Sequence, residues 1–588
     1  MPALFYLSKM KQFVLFFITA IRLSSFAFSQ QAEQPFIKLV NGTREQNNVS
    51  SAKQFIVGST CKTCTLSINN VPVKVYNSGG FAYELILPRG DTSVELKATA
   101  GKKSITKKIS YTYSLPVQPM PVKTLSIESI ETFPQGNLVL QPGDKIGFKI
   151  KALPGATVSI FNNIPLYEMP VNESNTMPGI YRGEYTIKTT DSFSSIKIPV
   201  TLDSSGKKIK KETGYLFSVI NPLASDIAVT KGRLAHLEYG LGEDRLGGAK
   251  IGYLDSMVLL KITGKVGSDY RVQLAPSLTA YIPDDLVTLL PKGSPGPGSL
   301  TGSWNVSGDE HYDYVTVGLT ARLPYQSWQQ VNPAKIIVDV YGATNNTNWI
   351  TQLQTAKEID NVDYEQVADG IFRIKIQLKH AQHWGHQIYY RGNSLVIKIK
   401  QQPAELALNK LCIAVDAGHG GSNTGASGPT GSSEKNLALA VSLKLQKLLE
   451  AEGAKVIMTR KTEQFFDNKQ RILFYRDSMP DLLVSIHLNS SSDPIRSGGT
   501  STHYRYIGYK KLNDCINKRM MELGLKQYGV VGSFNFMLNS PTEYPNCLVE
   551  TLFLSNPAEE AMMLDEGFQQ QMAQKILLGI KDFLNGLK

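Results

Sequence analysis

The stretch at residues 411–421, LCIAVDAGHGG, leaves the sequence around it few folds to adopt. Residues 412–416 form a short apolar run ending in an acid. A histidine between glycines, His419, follows, and then a loop rich in Gly, Ser and Thr up to Ser433. An apolar run of this length between turn residues suits a buried parallel strand, whose carboxyl end is where open α/β sheets bind ligands. Glycines beside the histidine remove bulk, so a ligand or metal can approach closely. Glu434 opens an amphipathic helix with Leu437, Val441, Leu445, Leu448 and Leu449 at helical spacing and Gly453 as its stop. Residues 454–459 read as a second strand and 468–477 as a helix. Residues 481–487 read as a third strand ending in His487, and 545–550 as a fourth ending in Glu550. Strands alternating with helices predict, for 410–588, an α/β domain with a mostly parallel sheet flanked by helices.

In such a sheet His419, His487 and Glu550 emerge at one edge. Glu434 joins them, because a βα loop ties its helix start to the first strand. Two histidines and two carboxylates at one edge match the needs of a catalytic zinc site. Three N/O ligands hold the metal and leave a position for water, and a further carboxylate serves as base.

The motifs VDAGHGG, SSEKN, VIMTR, LLVSIHLNSS and LVETLFLSNPAEE, in this order, resemble the zinc-dependent N-acetylmuramoyl-L-alanine amidases of the amidase 3 type over about 410–588. The resemblance implies His419, Glu434 and His487 as zinc ligands and Glu550 as the catalytic carboxylate. It also implies cleavage of the amide between N-acetylmuramic acid and the L-alanine of the stem peptide. Asn436 and Asn489, each two residues past an implied ligand, either orient those ligands or serve as loop and helix-start hydrogen bonders. Arg460 and Arg471 are expected to stabilise the fold through ion pairs. Some family members carry a helical plug between the second histidine and the glutamate. Here 62 residues separate His487 from Glu550, with one evident helix near 512–523 and a strand-like 533–538, so no plug is expected.

The chain has 588 residues, too many for one core. Residues 1–29, with Lys9 and Lys11 before the apolar 13–21, read as a signal peptide, so an exported protein, periplasmic or wall-associated, is expected. Short strands between turn residues predict an Ig-like sandwich over 30–114 and a second over 122–220, joined by a proline-rich linker. Residues 222–291 resemble an SH3-like barrel, and 300–402 an AMIN-like wall-targeting module. In the latter, His380, His383 and His386 have a spacing that on a strand points them to opposite faces, which argues against a shared metal. Trp384, Tyr389 and Tyr390 are expected to offer an aromatic, sugar-contacting surface instead. Among five cysteines, Cys61 and Cys64 suit a local disulfide, Cys412 and Cys547 are expected as buried thiols, and Cys515 as a helix residue without chemistry.

A net charge of +12 without a nucleic-acid motif points to an anionic partner surface. Peptidoglycan, with its stem-peptide carboxylates, fits that description. The expected whole is a peptidoglycan hydrolase of wall turnover or daughter-cell separation, positioned by its N-terminal modules through a wall-associated or division-site recruiting protein. A zinc peptidase acting inside the stem peptide, and a wall-binding scaffold with an inactive domain, are the competing readings.

Overall fold

The computed structural model describes residues 34–40, 44–115, 120–173, 177–221, 225–242 and 247–588; the expected signal peptide lies outside them. Among the described residues no helix is long and apolar enough to cross a membrane.

The first described residues form a β-sandwich. Lys38–Leu39, Lys53–Ser59 and Gly80–Ile86 form one sheet, and five strands between Gln46–Val49 and Lys103–Tyr113 form the other. Ile56, Phe81, Val94 and Leu96 fill the space between them, beside the bonded Cys61–Cys64 pair. A seven-stranded sheet follows over 127–212. Its flanks do not stop at the boundary expected near 221. Leu138–Leu140 pairs with both Phe217–Val219 and Leu259–Val266, so strands from the second module complete the sheet of the third. The third and fourth modules share one apolar core, in which Leu260 and Ile262 join Trp304, Val338 and Phe372.

The histidines at 380–386 stay apart. The ring of His380 meets Glu358 at 2.7 Å, that of His383 meets the Gln330 carbonyl at 2.8 Å, and that of His386 meets the Ser327 hydroxyl at 2.9 Å. Of the expected aromatic surface only Tyr389 stays partly exposed. Tyr390 is buried, and Trp384 is buried against Phe583 of the last helix, because the C-terminal core takes the indole as one of its own side chains.

The C-terminal domain contains β1 (Cys412–Ala417), α1 (Glu434–Ala451), β2 (Lys455–Ile457), α2 (Asn468–Ser478), β3 (Leu482–Asn489) and β4 (Thr500–His503). It continues with α3 (Lys510–Met521), β5 (Gln527–Val531), β6 (Asn546–Phe553), α4 (Pro557–Met563) and α5 (Glu566–Asn585). The sheet order is β2-β1-β3-β6-β4-β5, parallel except where β4 runs against β6. Side chains alternate along each strand, so the two faces acquire different covers. Ile413, Val415, Val484 and Ile486 pack on α1, α3 and α5, whereas Ala414 and Leu483 meet Ile472 and Tyr475 of α2. Two local expectations shift. The strand expected at 533–538 ends at Val531, because Ser533 turns to a positive φ of 56° and Phe534 and Phe536 fold back on His503. Cys412 is half-buried where a buried thiol was expected, since it starts β1 at the margin, with its N–H donating to Asp481 at 2.7 Å.

Candidate functional site

β1 and β3 lie side by side in parallel, and each delivers a histidine at its carboxyl end. His487, near the carboxyl end of β3, is in register with Glu550 on the adjoining β6. His419 sits two residues past β1 in the left-handed region, φ 58°, a turn that tips its ring back over the sheet edge. The two rings stand 4.9 Å apart at a steep angle. Glu434 is the first residue of α1, where the helix dipole favours a negative charge. Its Oε2 accepts the Ala426 N–H at 2.8 Å, and its Oε1 accepts the Leu488 N–H at 3.0 Å.

That same Oε1 lies 3.0 Å from Nε2 of His419 and 3.0 Å from Nδ1 of His487. One ligand atom from each of the three residues falls within 4.8 Å of the other two, a spacing that suits one small cation. Electrostatics favour a positive charge there. Burial pushes the Glu434 carboxyl up, but hydrogen bonds from His419 and His487 outweigh it and hold the group well below its ordinary value. Burial disfavours a charged His487, yet Glu434, Glu550 and Asp416 together raise its proton affinity. The carboxylates that favour a proton on His487 favour a cation at the same place.

Two glycines make room. A Cβ on Gly418 would fall 2.5 Å from the His487 ring. One on Gly425 would fall 2.4 Å from Glu434 Oε2, at a φ of +66°. A cleft of about 740 Å³ opens over the cluster, lined by Phe465, Asn489 and Leu538 as well as His419, His487 and Glu550. Glu550 is 9% exposed and faces this cleft beside His487.

The outer arrangement differs from expectation. Asn489 lines the cleft and spends its Oδ1 on the Ser490 N–H at 2.7 Å, a loop role. Asn436 is exposed on α1, outside the cleft lining. The residue that orients a histidine is Asn423, whose Oδ1 lies 2.9 Å from His419 Nδ1 and also accepts the Gly425 N–H. Nothing in its spacing distinguishes Asn423 from other polar loop residues; the Gly420–Asn423 bridge that folds it back is a tertiary feature. Arg471 pairs with Asp416 at 2.9 Å and donates to the Ala417 and His419 carbonyls. Arg460 makes no carboxylate pair among its hydrogen bonds and instead ties down the carbonyls of Ala417, Gly418 and Lys435. Both arginines hold the His419 turn from beneath.

An α/β domain that gathers two imidazoles and two carboxylates in an open cleft at its strand ends is built as metal hydrolases are. Residues 413–582 match the family model of N-acetylmuramoyl-L-alanine amidase, Amidase_3. The chain is 26% identical over 363 residues to N-acetylmuramoyl-L-alanine amidase AmiC of Neisseria meningitidis, across 47% of this chain and 87% of that protein. It is 30% identical over 194 residues to the probable cell wall amidase LytH of Staphylococcus epidermidis, across 33% of this chain and 65% of LytH. The solved catalytic domain of CwlV, an N-acetylmuramoyl-L-alanine amidase from Bacillus (Paenibacillus) polymyxa, is 34% identical, with a TM-score of 0.29 over 30% of this chain and 99% of that one. The sequence matches place the C-terminal domain in the enzyme class of N-acetylmuramoyl-L-alanine amidases.

Proposed function

We propose that the chain is an exported peptidoglycan hydrolase that cuts the amide between N-acetylmuramic acid and the L-alanine of the stem peptide, with zinc as its metal. The observation that carries the reading is the convergence of His419, His487 and Glu434 within 4.8 Å beneath an open cleft, in a domain that matches the amidase family.

In this mechanism His419 and His487 would hold the metal through ring nitrogens and Glu434 through a carboxylate oxygen. Zinc, when bound, supplies Lewis acidity that polarises an amide carbonyl and lowers the pKa of water toward neutrality. Glu550 accepts the proton of the attacking water. It then delivers that proton to the alanine nitrogen as the C–N bond breaks, so the amine leaves neutral. Asn423 holds the His419 ring in orientation, and the Arg460 and Arg471 guanidiniums hold its backbone. The N-terminal modules supply recruitment to the wall, through a wall-associated or division-site protein.

The test is digestion of purified peptidoglycan by the full chain, read by mass spectrometry. Intact stem peptides with a free L-alanine amine are expected, lost on chelation and restored by zinc. Glu550→Gln is expected to lower kcat by about 10²–10⁴-fold while zinc content is unchanged. Cuts inside the stem peptide would make the enzyme a peptidase instead. Zinc binding without any product would favour the scaffold reading.

A further inference from the structure

The cleft does not end at the rim of the C-terminal domain. Ser490, which lines it just past β3, also lines a second cavity of about 480 Å³ whose far wall belongs to the first β-sandwich. That wall is Gln54, Phe55 and Val57; the near wall is Ser490, Ser492 and Pro494. We propose that this groove is a glycan subsite, in which the first sandwich and the loop after β3 together grip the sugar chain of peptidoglycan next to the cutting site. The proposal rests on the amidase reading for its biological substrate.

The sandwich meets both loops that frame the metal cluster. On one side Lys53 lies 3.3 Å from Glu84 and 3.6 Å from Asp493, and Arg496 bonds Asp493 at 3.0 Å and also reaches Glu84. On the other side Gly80 approaches the 428–432 loop so closely that a Cβ would fall 3.0 Å from Glu560 Oε2 and 3.3 Å from Pro429. These contacts place the strand that starts at Lys53 across the end of the cleft.

The chemistry of the groove selects the ligand. A substrate seated at His419, Glu434 and His487 must send sugar to one side of the scissile amide and peptide to the other. The stem peptide carries carboxylates and calls for cations. Here the nearby Lys53 and Arg496 are already matched by Glu84 and Asp493, which leaves the flank neutral. The intact glycan is an uncharged polyol, because its lactyl carboxyl is tied up as the amide. The groove offers matching groups: serine hydroxyls, the Gln54 amide and the half-buried Phe55 ring, held with Lys53 Nζ 5.1 Å from its centroid. An aromatic ring beside hydroxyl and amide groups accommodates the apolar face of a pyranose together with its rim of donors and acceptors.

The experiment compares kcat/KM of the full chain on peptidoglycan chains of several disaccharides and on a single muramyl peptide. Phe55→Ala is expected to lower the ratio of long-chain to minimal-substrate kcat/KM about tenfold. Ser492→Arg, which fills the groove from the other domain, is expected to do the same and serves if Phe55→Ala unfolds the sandwich. Hydrolysis-independent binding is read by saturation-transfer NMR, with chitotetraose added to the Glu550→Gln protein. Signal is expected there and is expected to be lost with either groove substitution. An unchanged ratio in both variants, with chitotetraose binding unaffected, would overturn the subsite. If the full chain hydrolyses neither substrate yet binds chitotetraose through Phe55, the amidase reading fails while the glycan site stands.

Discussion

At the scale of single residues, the cluster depends on side chains that touch no substrate. Asn423 fixes one His419 nitrogen so that the other faces Glu434. Removing such a partner of a metal ligand costs 10–100-fold in metal affinity in comparable sites. Asn423→Ala is accordingly expected to raise the zinc dissociation constant by about that factor, measured by competition with a chromophoric chelator, while the fold stays intact. Asp416 supports the site one layer down. It is fully buried, and although burial alone would raise its pKa, the Arg471 guanidinium and His487 hold it below the ordinary 3.8. A carboxyl depressed in the folded state stabilises the protein above its unfolded pKa, and that contribution disappears as pH falls through the folded value. Stability is therefore expected to drop on acidification below about pH 4, read by thermal melts across pH. Asp416→Asn removes this acid-dependent part of the curve. At neutral pH it costs about 3–5 kcal/mol, because Arg471 remains buried without its charge partner.

At the scale of elements, the loop between β1 and α1 determines whether Glu434 is presented correctly. Glu560 on α4 pins that loop from outside. It is fully buried, and its Oε1 accepts the Thr430 N–H at 3.0 Å, the Thr430 hydroxyl at 2.7 Å and the Ser432 hydroxyl at 2.6 Å. Glu560→Ala leaves these donors unmet at about 1–3 kcal/mol. Because the same loop holds Ala426 on Glu434, the variant is expected to lose zinc faster than wild type, followed by transfer to an excess of chelator. The elements that bring the cluster together were legible in the sequence. The apolar runs before His419 and His487 and the heptad-like leucines of α1 encode their own periods. What the sequence hid is what depends on distant partners: the turn that brings Asn423 to His419, the reversal of β4 against β6, and the end of β5 at Val531. Glu560 falls in the motif NPAEE, yet nothing local to that motif reveals a partner loop 128–130 residues away.

At the scale of the whole molecule, the strand modules and the hydrolase domain do not separate where composition suggests. Residue 402 looked like the end of a β-rich module because the strands stop there and the α/β pattern begins at 410. Yet Trp384, on the module side, is 1% exposed inside the hydrolase core, its ring 6.1 Å from that of Phe583. The seam around it is also hydrogen-bonded. His386 donates its N–H to the Thr542 carbonyl at 2.8 Å, Gly508 donates to Gln329 at 2.8 Å, and Lys400 pairs with Asp481 at 2.6 Å. A seam that combines a buried indole with satisfied polar groups acts as an interior surface, unlike the looser interfaces across which domains usually move. The fourth module and the hydrolase domain are thus expected to unfold as one unit, together with the third module whose core the fourth shares, while a fragment starting at 410 lacks a core side chain and melts lower. Trp384→Ala creates the same vacancy in the full chain and is expected to cost about 3–5 kcal/mol. Calorimetry distinguishes the alternatives. In the full chain, a single cooperative transition for these modules that splits in two with Trp384→Ala supports shared folding, whereas two transitions already present in the unaltered chain would show independent modules that merely touch.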